Sequence, residues 1–408
     1  MTRWLKIVGI GDDGVKGLGP AARAVVDQAD VIVGGERQLA MVGDHEAECL
    51  SWPKPFDIMV EELRARSGKN VCVLASGDPT CHGVGSLLAD KLGVDAVQIL
   101  PTPSAFSLAC ARLGWSSQTT HTLSLHGRPL ELLHPFVQPN VRILALSENA
   151  ETPTRVAALL CDRGYQSSRL TVLSHMGGEY ENIVSAQVDQ WGPDQPVANL
   201  NTIAIECLAS PEAPLVPRSP GLPDELFEHD GQLTKREVRA MTLSALSPTP
   251  GQLLWDIGAG CGSVSIEWMR STPSCRAIAI ESNPKRAQLI RSNATTLGTP
   301  DVDIVVGTAV PALTGLARPD AIFVGGGITQ PRLFDECWRS LKPGGRLVAN
   351  VISLEGEQIL DQWQRTAGGQ LTRIAVSRGE TIGKFRCFKP LMAVTQFCAI
   401  KHEIQDGR

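Results

Sequence analysis

The stretch Leu253-Leu254-Trp255-Asp256-Ile257-Gly258-Ala259-Gly260-Cys261-Gly262-Ser263-Val264-Ser265 decides how this chain reads. Leu253 to Ile257 has the apolar character of a buried strand, and the three alternating glycines remove each Cβ that would hold a ligand off the backbone at the strand's carboxyl end. A helix from about Ser263 to Arg270 then turns its amino-terminal N–H groups toward that ligand. A second apolar strand, Arg276-Ala-Ile-Ala-Ile-Glu281, stops on a carboxylate 21 positions after Gly260. An acid at that offset can hold the two hydroxyls of a ribose.

Dinucleotide dehydrogenases also combine glycines with a later acid. Here the spacing is Gly-x-Gly-x-Gly, and Asp256 stands two residues ahead of the first glycine. A carboxylate there repels a pyrophosphate and suits a ligand that carries ammonium and sulfonium groups, which is S-adenosylmethionine (SAM). The segment resembles motif I of the seven-stranded class I methyltransferases. On that resemblance Asp256, Gly258, Gly260, Gly262, Ser263 and Glu281 are expected to bind the cofactor. Another nucleotide site and a purely structural glycine turn remain open at this point.

The 408 residues suffice for two or three domains, each with its own core. An apolar fraction of 43% with 20% charged residues is ordinary globular composition, and a net charge of −5 argues against a general nucleic-acid binder. No run approaches the length of a membrane span, and Met-Thr-Arg-Trp-Leu-Lys leads straight into a strand-like segment, so a cytoplasmic location is expected. The eleven cysteines are scattered, without a C-x-x-C pair or a histidine partner pattern. Reduced thiols and no metal site are therefore expected.

From the amino terminus, Leu5–Ile10 reads as a strand, Gly11–Gly14 as a loop, 20–29 as an amphipathic helix and Asp30–Gly35 as a second strand. A strand before Ser76-Gly77-Asp78-Pro79 is broken by the Asp-Pro pair, which forces turn geometry and presents the Asp78 carboxylate at a strand end. Another strand, Val97–Leu100, ends in Pro101-Thr-Pro-Ser104, with Ser104 placed to cap a helix from Ala105 to Leu113.

A glycine loop, Ser-Gly-Asp-Pro, the Pro-x-Pro-Ser helix start, Ser124-Leu-His-Gly-Arg128 and Asn199-Leu-Asn-Thr-Ile-Ala-Ile205 occur in that order. Together they resemble the tetrapyrrole (class III) methyltransferases, which fold SAM between two α/β halves, here about 1–112 and 120–208. The resemblance implies Gly77, Asp78, Ser104, Ala105, His126 and Asn201 as cofactor contacts. Each has a plain alternative: a turn cap, a helix cap, a loop bridge, a hydrogen-bonded loop histidine. The first loop departs from the family's Gly-x-Gly-Pro-Gly, with Asp12 and Asp13 where Pro and Gly are common, which leaves that loop's contacts open.

Pro211, Pro214, Pro217, Pro220 and Pro223 recur at the polyproline II period, so 209–229 is expected to be a semi-rigid linker, or else a loop along one domain. Domains 1–208 and 230–408 lie on either side. Thr234 with Glu237 three residues later forms a capping-box pattern that opens a helix to about Leu246, and Leu233-Thr-Lys-Arg could fold over the cofactor. Strands are expected at 302–306, 320–324 and 346–352, with a helix at about 331–341. By the class I resemblance, Gly307, Thr308 and Ala309 bracket the adenine, while Gly325 and Gly326 lie beside the methyl group. The latter pair departs from the Asn-Pro-Pro-Tyr ending of amino-methylating enzymes, which argues against a DNA adenine or glutamine acceptor.

A class III domain followed by a class I domain closely resembles the fused, decarboxylating precorrin methyltransferase family of cobalamin biosynthesis. The fold class expected is therefore α/β throughout: two α/β halves, then a Rossmann-like seven-stranded domain. The resemblance implies two SAM sites per chain. It also implies methylation of precorrin-6Y/6B at C-5 and C-15, decarboxylation of the C-12 acetate, and a homo-oligomer, dimer or tetramer. Candidate acid and base groups are His126, Glu355 and Glu357. The substrate's many carboxylates call for cations, with candidates Arg37, Arg112 and Arg128 in the first domain and Lys235, Arg236, Arg378, Lys384 and Arg386 in the second. A nucleotide-dependent oxidoreductase and a non-catalytic precorrin carrier are the competing readings.

Overall fold

The computed structural model describes residues 3–53 and 55–402. The chain divides into two compact units, one running to Leu130 and over Phe136–Pro214, the other comprising Glu131–Pro135 and the chain from Leu215 onward.

The first unit carries two five-stranded sheets. Strands β1 (Leu5–Ile10), β2 (Val31–Gly34), β3 (Glu48–Ser51), β4 (Val71–Ser76) and β5 (Val97–Leu100) form an all-parallel sheet in the order β3-β2-β4-β1-β5. Its central strands are continuous apolar runs because both faces are covered: Leu5, Ile7, Val71 and Val73 enter one core, while Val8, Ile10, Cys72 and Leu74 enter another. Strands β6 (Thr120–Ser124), β7 (Arg142–Leu146), β8 (Arg169–Ser174), β9 (Asn182–Gln187) and β10 (Asn201–Glu206) form the second sheet, ordered β6-β7-β10-β8-β9. Only β6 and β7 run parallel in it. Edge strands β3 and β9 were not expected; both are largely exposed and lack the apolar run that marks a central strand.

The second unit is built on a seven-stranded sheet. Its strands are β11 (Leu253–Ile257), β12 (Arg276–Glu281), β13 (Asp303–Val306), β14 (Ala321–Val324), β15 (Arg346–Val351), β16 (Gln370–Ile374) and, after the separate hairpin of β17 (Ser377–Ile382) and β18 (Phe385–Pro390), β19 (Val394–Ile400). The order is β13-β12-β11-β14-β15-β19-β16, with β19 antiparallel to both neighbours. Alternation sends Leu254 to one core and Leu253, Trp255 and Ile257 to the other. Strand order reverses between β11 and β14, and open α/β sheets place their ligand crevice at such a switch point.

Two local expectations differ from the structure. The proline-rich segment does not stand free after Pro214: Val216, Leu222 and Phe227 are buried in the second unit's core. The apolar residues between the prolines supply the burial, and Arg270 donates to the carbonyls of Val216 (3.0 Å) and Pro217 (3.2 Å). The second difference concerns Thr234, which does not cap the helix Arg236–Leu246. Lys235 occupies the cap position without a side-chain bond, and Glu237 pairs with Arg378 at 2.7 Å. A nearby guanidinium competes successfully for the carboxylate that a capping box would use. Among the described residues no helix is long and apolar enough to cross a membrane.

Candidate functional site

A cavity of about 620 Å³ opens at the carboxyl ends of β11, β12, β14 and β15. Gly258 and Gly260 form its floor with φ of 70° and 61°, a left-handed region in which a side chain would be strained. A Cβ on Gly258 would stand 2.6 Å from the Gly326 backbone, so the loops after β11 and β14 pack main chain against main chain. A Cβ on Gly260 would meet only the Gln232 carbonyl, at 3.4 Å, and would otherwise project into open space. This bare cradle is what a ligand lying on backbone requires. Gly262 does not line the cavity; it admits Ile290 to close packing against the start of the helix Ser263–Ser271.

Glu281 ends β12 with its carboxylate in the wall, buried to 4% exposure. It accepts the Gly260 amide at 2.8 Å and the Asn283 amide at 2.9 Å. Each oxygen retains a lone pair for a ligand hydroxyl, so the residues present fit the ribose of a nucleoside. Asp256 sits elsewhere. It is fully buried on β11, outside the cavity, and accepts from Ser265 N at 3.0 Å and Ser265 Oγ at 2.5 Å. Burial raises its pKa to about 6 against the opposing Ser265 bonds, and its Oδ1 has no partner. It holds the first turn of the helix Ser263–Ser271 and does not line the cavity where a ligand's positive charge would lie.

Ser263, Gly307, Ala309, Gly325, Gly326, Thr234 and Lys235 line the cavity, whereas exposed Thr308 and Arg236 do not. The acid–base candidates also lie outside: Glu355 is exposed, and Glu357 is held by Thr395 (2.8 Å) and Arg373 (2.9 Å). Lys384 and Arg386 are exposed on the β17–β18 hairpin, and Arg378 is bound bidentately by Glu237 and by Asp224 at 2.9 Å. Although burial pushes Asp224 up, Arg378 and Arg239 hold its carboxyl below the usual range. Buried Arg239 also reaches Glu267 at 2.6 Å and the Thr234 carbonyl at 2.5 Å, which ties the 222–234 wall to the helix behind the glycine loop.

Several cavity residues escaped the sequence reading: Gly231, Arg286, Asn350, Ile352 and Met392. Arg286 donates to Asp230 at 2.7 Å. Asn350 carried one signal, a lone amide near the carboxyl end of an otherwise apolar strand.

In the first unit, Gly77 turns with φ 57° and packs its carbonyl where a side chain on Gly9 would project. Asp78 accepts from Thr80 N (2.8 Å) and Thr80 Oγ1 (2.7 Å), and Ser104 caps its helix through Ser107 N (3.1 Å), next to half-buried Ala105. Asn201 is buried, donates to the Ala198 carbonyl at 2.8 Å, and leaves Oδ1 without a partner. His126 and Arg128 are exposed. The departure at Asp12 has a structural use: its carboxylate accepts from Arg37 at 2.5 Å and meets His175 Nδ1 at 2.8 Å, joining a loop of the first sheet to a turn of the second. Arg112 is engaged bidentately by Glu181 at 2.5 and 2.8 Å. Among the described residues no cluster of His, Cys, Asp or Glu could hold a metal.

A sheet in this order, with a glycine cradle after its first strand and a buried acid after its second, defines the second unit as a class I methyltransferase fold. Residues 225–401 match the model of the precorrin methyltransferase domain, and residues 5–191 match that of the tetrapyrrole (corrin/porphyrin) methylases. The chain is 45% identical over 398 residues to the precorrin-6Y C(5,15)-methyltransferase [decarboxylating] of Sinorhizobium sp, covering 97% of this chain and 96% of that one. The protein of the same name from Mycobacterium tuberculosis (strain CDC 1551 / Oshkosh) is 41% identical, over 97% and 99% of the two chains. A solved C-terminal domain of precorrin-6Y C5,15-methyltransferase from Rhodobacter capsulatus is 43% identical and covers 45% of this chain and 99% of its own, with a TM-score of 0.43. The chain belongs to the family of decarboxylating precorrin-6Y C(5,15)-methyltransferases. Enzymes of this family use SAM.

Proposed function

We propose that this chain methylates its precorrin at C-5 and C-15 and decarboxylates the C-12 acetate, with one SAM site in each unit. The observation that carries the second site is the Glu281 carboxylate bonded to the Gly260 amide across an open glycine cradle. Asp256, Gly258, Gly260, Gly262, Ser263, Thr234, Glu281, Gly307, Ala309, Gly325 and Gly326 hold or shape that site. Gly77, Asp78, Ser104, Ala105 and Asn201 do so in the first unit, where the unpartnered Asn201 Oδ1 supports a ligand contact.

When bound, SAM supplies an electrophilic methyl group on a sulfonium. The acceptor is a reduced tetrapyrrole whose meso carbons behave as enamine carbons, so the protein's task is in-line placement and exclusion of water more than strong base catalysis. Glu281 fixes the ribose, the glycine cradle fixes depth, and Gly325 with Gly326 keep side chains away from the reacting carbon. We assign C-15 methylation and decarboxylation to the second unit, since its cavity wall at and beyond β15 and β19 is uncharged and mostly apolar, which suits conversion of a carboxylate to neutral carbon dioxide. We place the enzyme in the cytoplasm as a homo-oligomer. Phe385 and Phe388, 78% and 80% exposed on the β17–β18 hairpin, support a face covered by a second copy.

Incubation of the full chain with methyl-labelled SAM and precorrin-6Y tests the reading: two labelled methyl groups and one carbon dioxide are expected per turnover. Tight NAD binding with no SAM binding would favour the oxidoreductase, and SAM binding without label transfer would leave only a carrier.

A further inference from the structure

Asn350 lines the cavity near the carboxyl end of β15, and its amide is held from behind by uncharged groups. Its Nδ2 donates to Thr242 Oγ1 at 2.8 Å, and its Oδ1 accepts from Gln396 Nε2 at 3.0 Å. Gln396 also donates to Thr242 Oγ1 at 3.3 Å, and the Thr242 hydroxyl donates to the Val238 carbonyl at 2.8 Å. Thr242 and Gln396 are buried, at 0% and 5% exposure. A three-member polar network in an apolar core costs desolvation and is a poor way to gain stability alone. What it does here is lock one amide in one orientation, with its second N–H and second lone pair left for the cavity.

The strand order places that amide on the acceptor side. A ligand laid along the carboxyl edge with its ribose at Glu281 of β12 extends past the cradle of β11 toward Gly325 after β14. Strand β15 comes next, about 4.8 Å further on. The remaining wall there is apolar apart from Ser353, with Val351, Ile352, Met392 and Val394 among its members, and no charged side chain lies among the lining residues of these segments.

We infer that Asn350 is the hydrogen-bond donor for the acetate carboxylate that the second unit removes, an inference that rests on the decarboxylation assigned above. A guanidinium at this place would stabilise the carboxylate and oppose its loss; a neutral amide orients it without that penalty. C-12 belongs to a ring that flanks C-15, so its acetate is carried by the ring next to the methylated carbon. In the step, the bond from the methylene carbon to the carboxylate breaks, its electron pair enters the protonated, conjugated ring, and carbon dioxide leaves. The pair then returns to the methylene carbon, which takes a proton from water and becomes a methyl group. Asn350 holds the breaking bond across the ring plane, where overlap with that electron sink is greatest.

The test uses the full chain with Asn350→Leu, of similar volume, and Asn350→Ser, assayed with methyl-labelled SAM and precorrin-6Y for ring label and released carbon dioxide separately. SAM titration identifies which variant keeps the folded site, and that variant decides. Carbon dioxide released per methyl group is expected to fall at least about tenfold, with SAM binding unchanged. Thr242→Val, which frees the amide to rotate, is expected to give a smaller drop in the same ratio. An unchanged ratio, with both reactions slowed together or neither slowed, overturns the assignment. Wild-type protein that incorporates label and releases no carbon dioxide would overturn the decarboxylation reading itself.

Discussion

The Glu281 carboxylate accepts the amide hydrogen of Gly260 at 2.8 Å, so the end of the second strand of the class I sheet holds the glycine loop after the first. One residue thus shapes the cradle and presents the acid within it. Replacing Glu281 by Gln keeps the shape and removes the charge, and each charge-assisted bond lost is worth about 1.5–3 kcal/mol. SAM affinity at the second site is expected to weaken by at least about tenfold by calorimetric titration. Methylation at C-5 should persist in the same protein; loss of both methylations in a folded variant would show that the two sites are not independent.

Gly258→Ala should abolish binding at the second site more completely. Its φ of 70° is unfavourable to any side chain, and the new Cβ would stand 2.6 Å from the Gly326 backbone, which cannot retreat as a flexible side chain could. Circular dichroism should report a folded protein, with second-site methylation at background.

Asp256 predicts a pH dependence of stability. Its native pKa, raised to about 6 by burial, exceeds the ordinary value of 3.8, so the native state binds the proton more tightly than the unfolded state. Between about pH 4 and 6 stability therefore falls as pH rises, and the loss, roughly 3 kcal/mol, is complete above that window. Asp256→Asn keeps an acceptor for Ser265 N–H and removes the titration. Chemical denaturation at pH 5 and pH 8 should show a smaller pH difference for the variant than for the wild type; an equal difference would place the titration elsewhere.

Arg239 is buried against Glu267 and Asp224, and its guanidinium lies 4.7 Å from the Phe227 ring centroid. Arg239→Met leaves Glu267 without its cation and Asp224 with Arg378 alone, and should destabilise by about 3–5 kcal/mol. Adding Glu267→Gln should recover part of that loss. Urea midpoints of the single and double variants check the expectation.

The repeating part of the architecture was legible from residues alone. Apolar runs that stop on glycine or an acid located β1, β4, β11, β12 and β14, because central strands of a covered parallel sheet must be apolar on both faces. The cradle glycines and Glu281 were legible for the same reason: backbone geometry and a fixed offset restrict residue type, and restriction is what one sequence can display. The edge strands β3 and β9 carry no such constraint.

What only the tertiary structure decided is which polar groups meet. Asp256 was read as facing a cationic ligand; complete burial turned it toward Ser265. Arg378 and Arg112 were read as candidates for the substrate's carboxylates, and acids 141 and 69 positions away in the chain engage them. Asn350 lies 108 positions from Thr242, a separation at which no spacing rule operates. Short-range stereochemistry is written in neighbouring residues, and it determined the strands, the turns and the bare glycine floor. Ion pairs and buried amide networks depend on distances that exist only once the sheet has closed, and those decided the walls of the site.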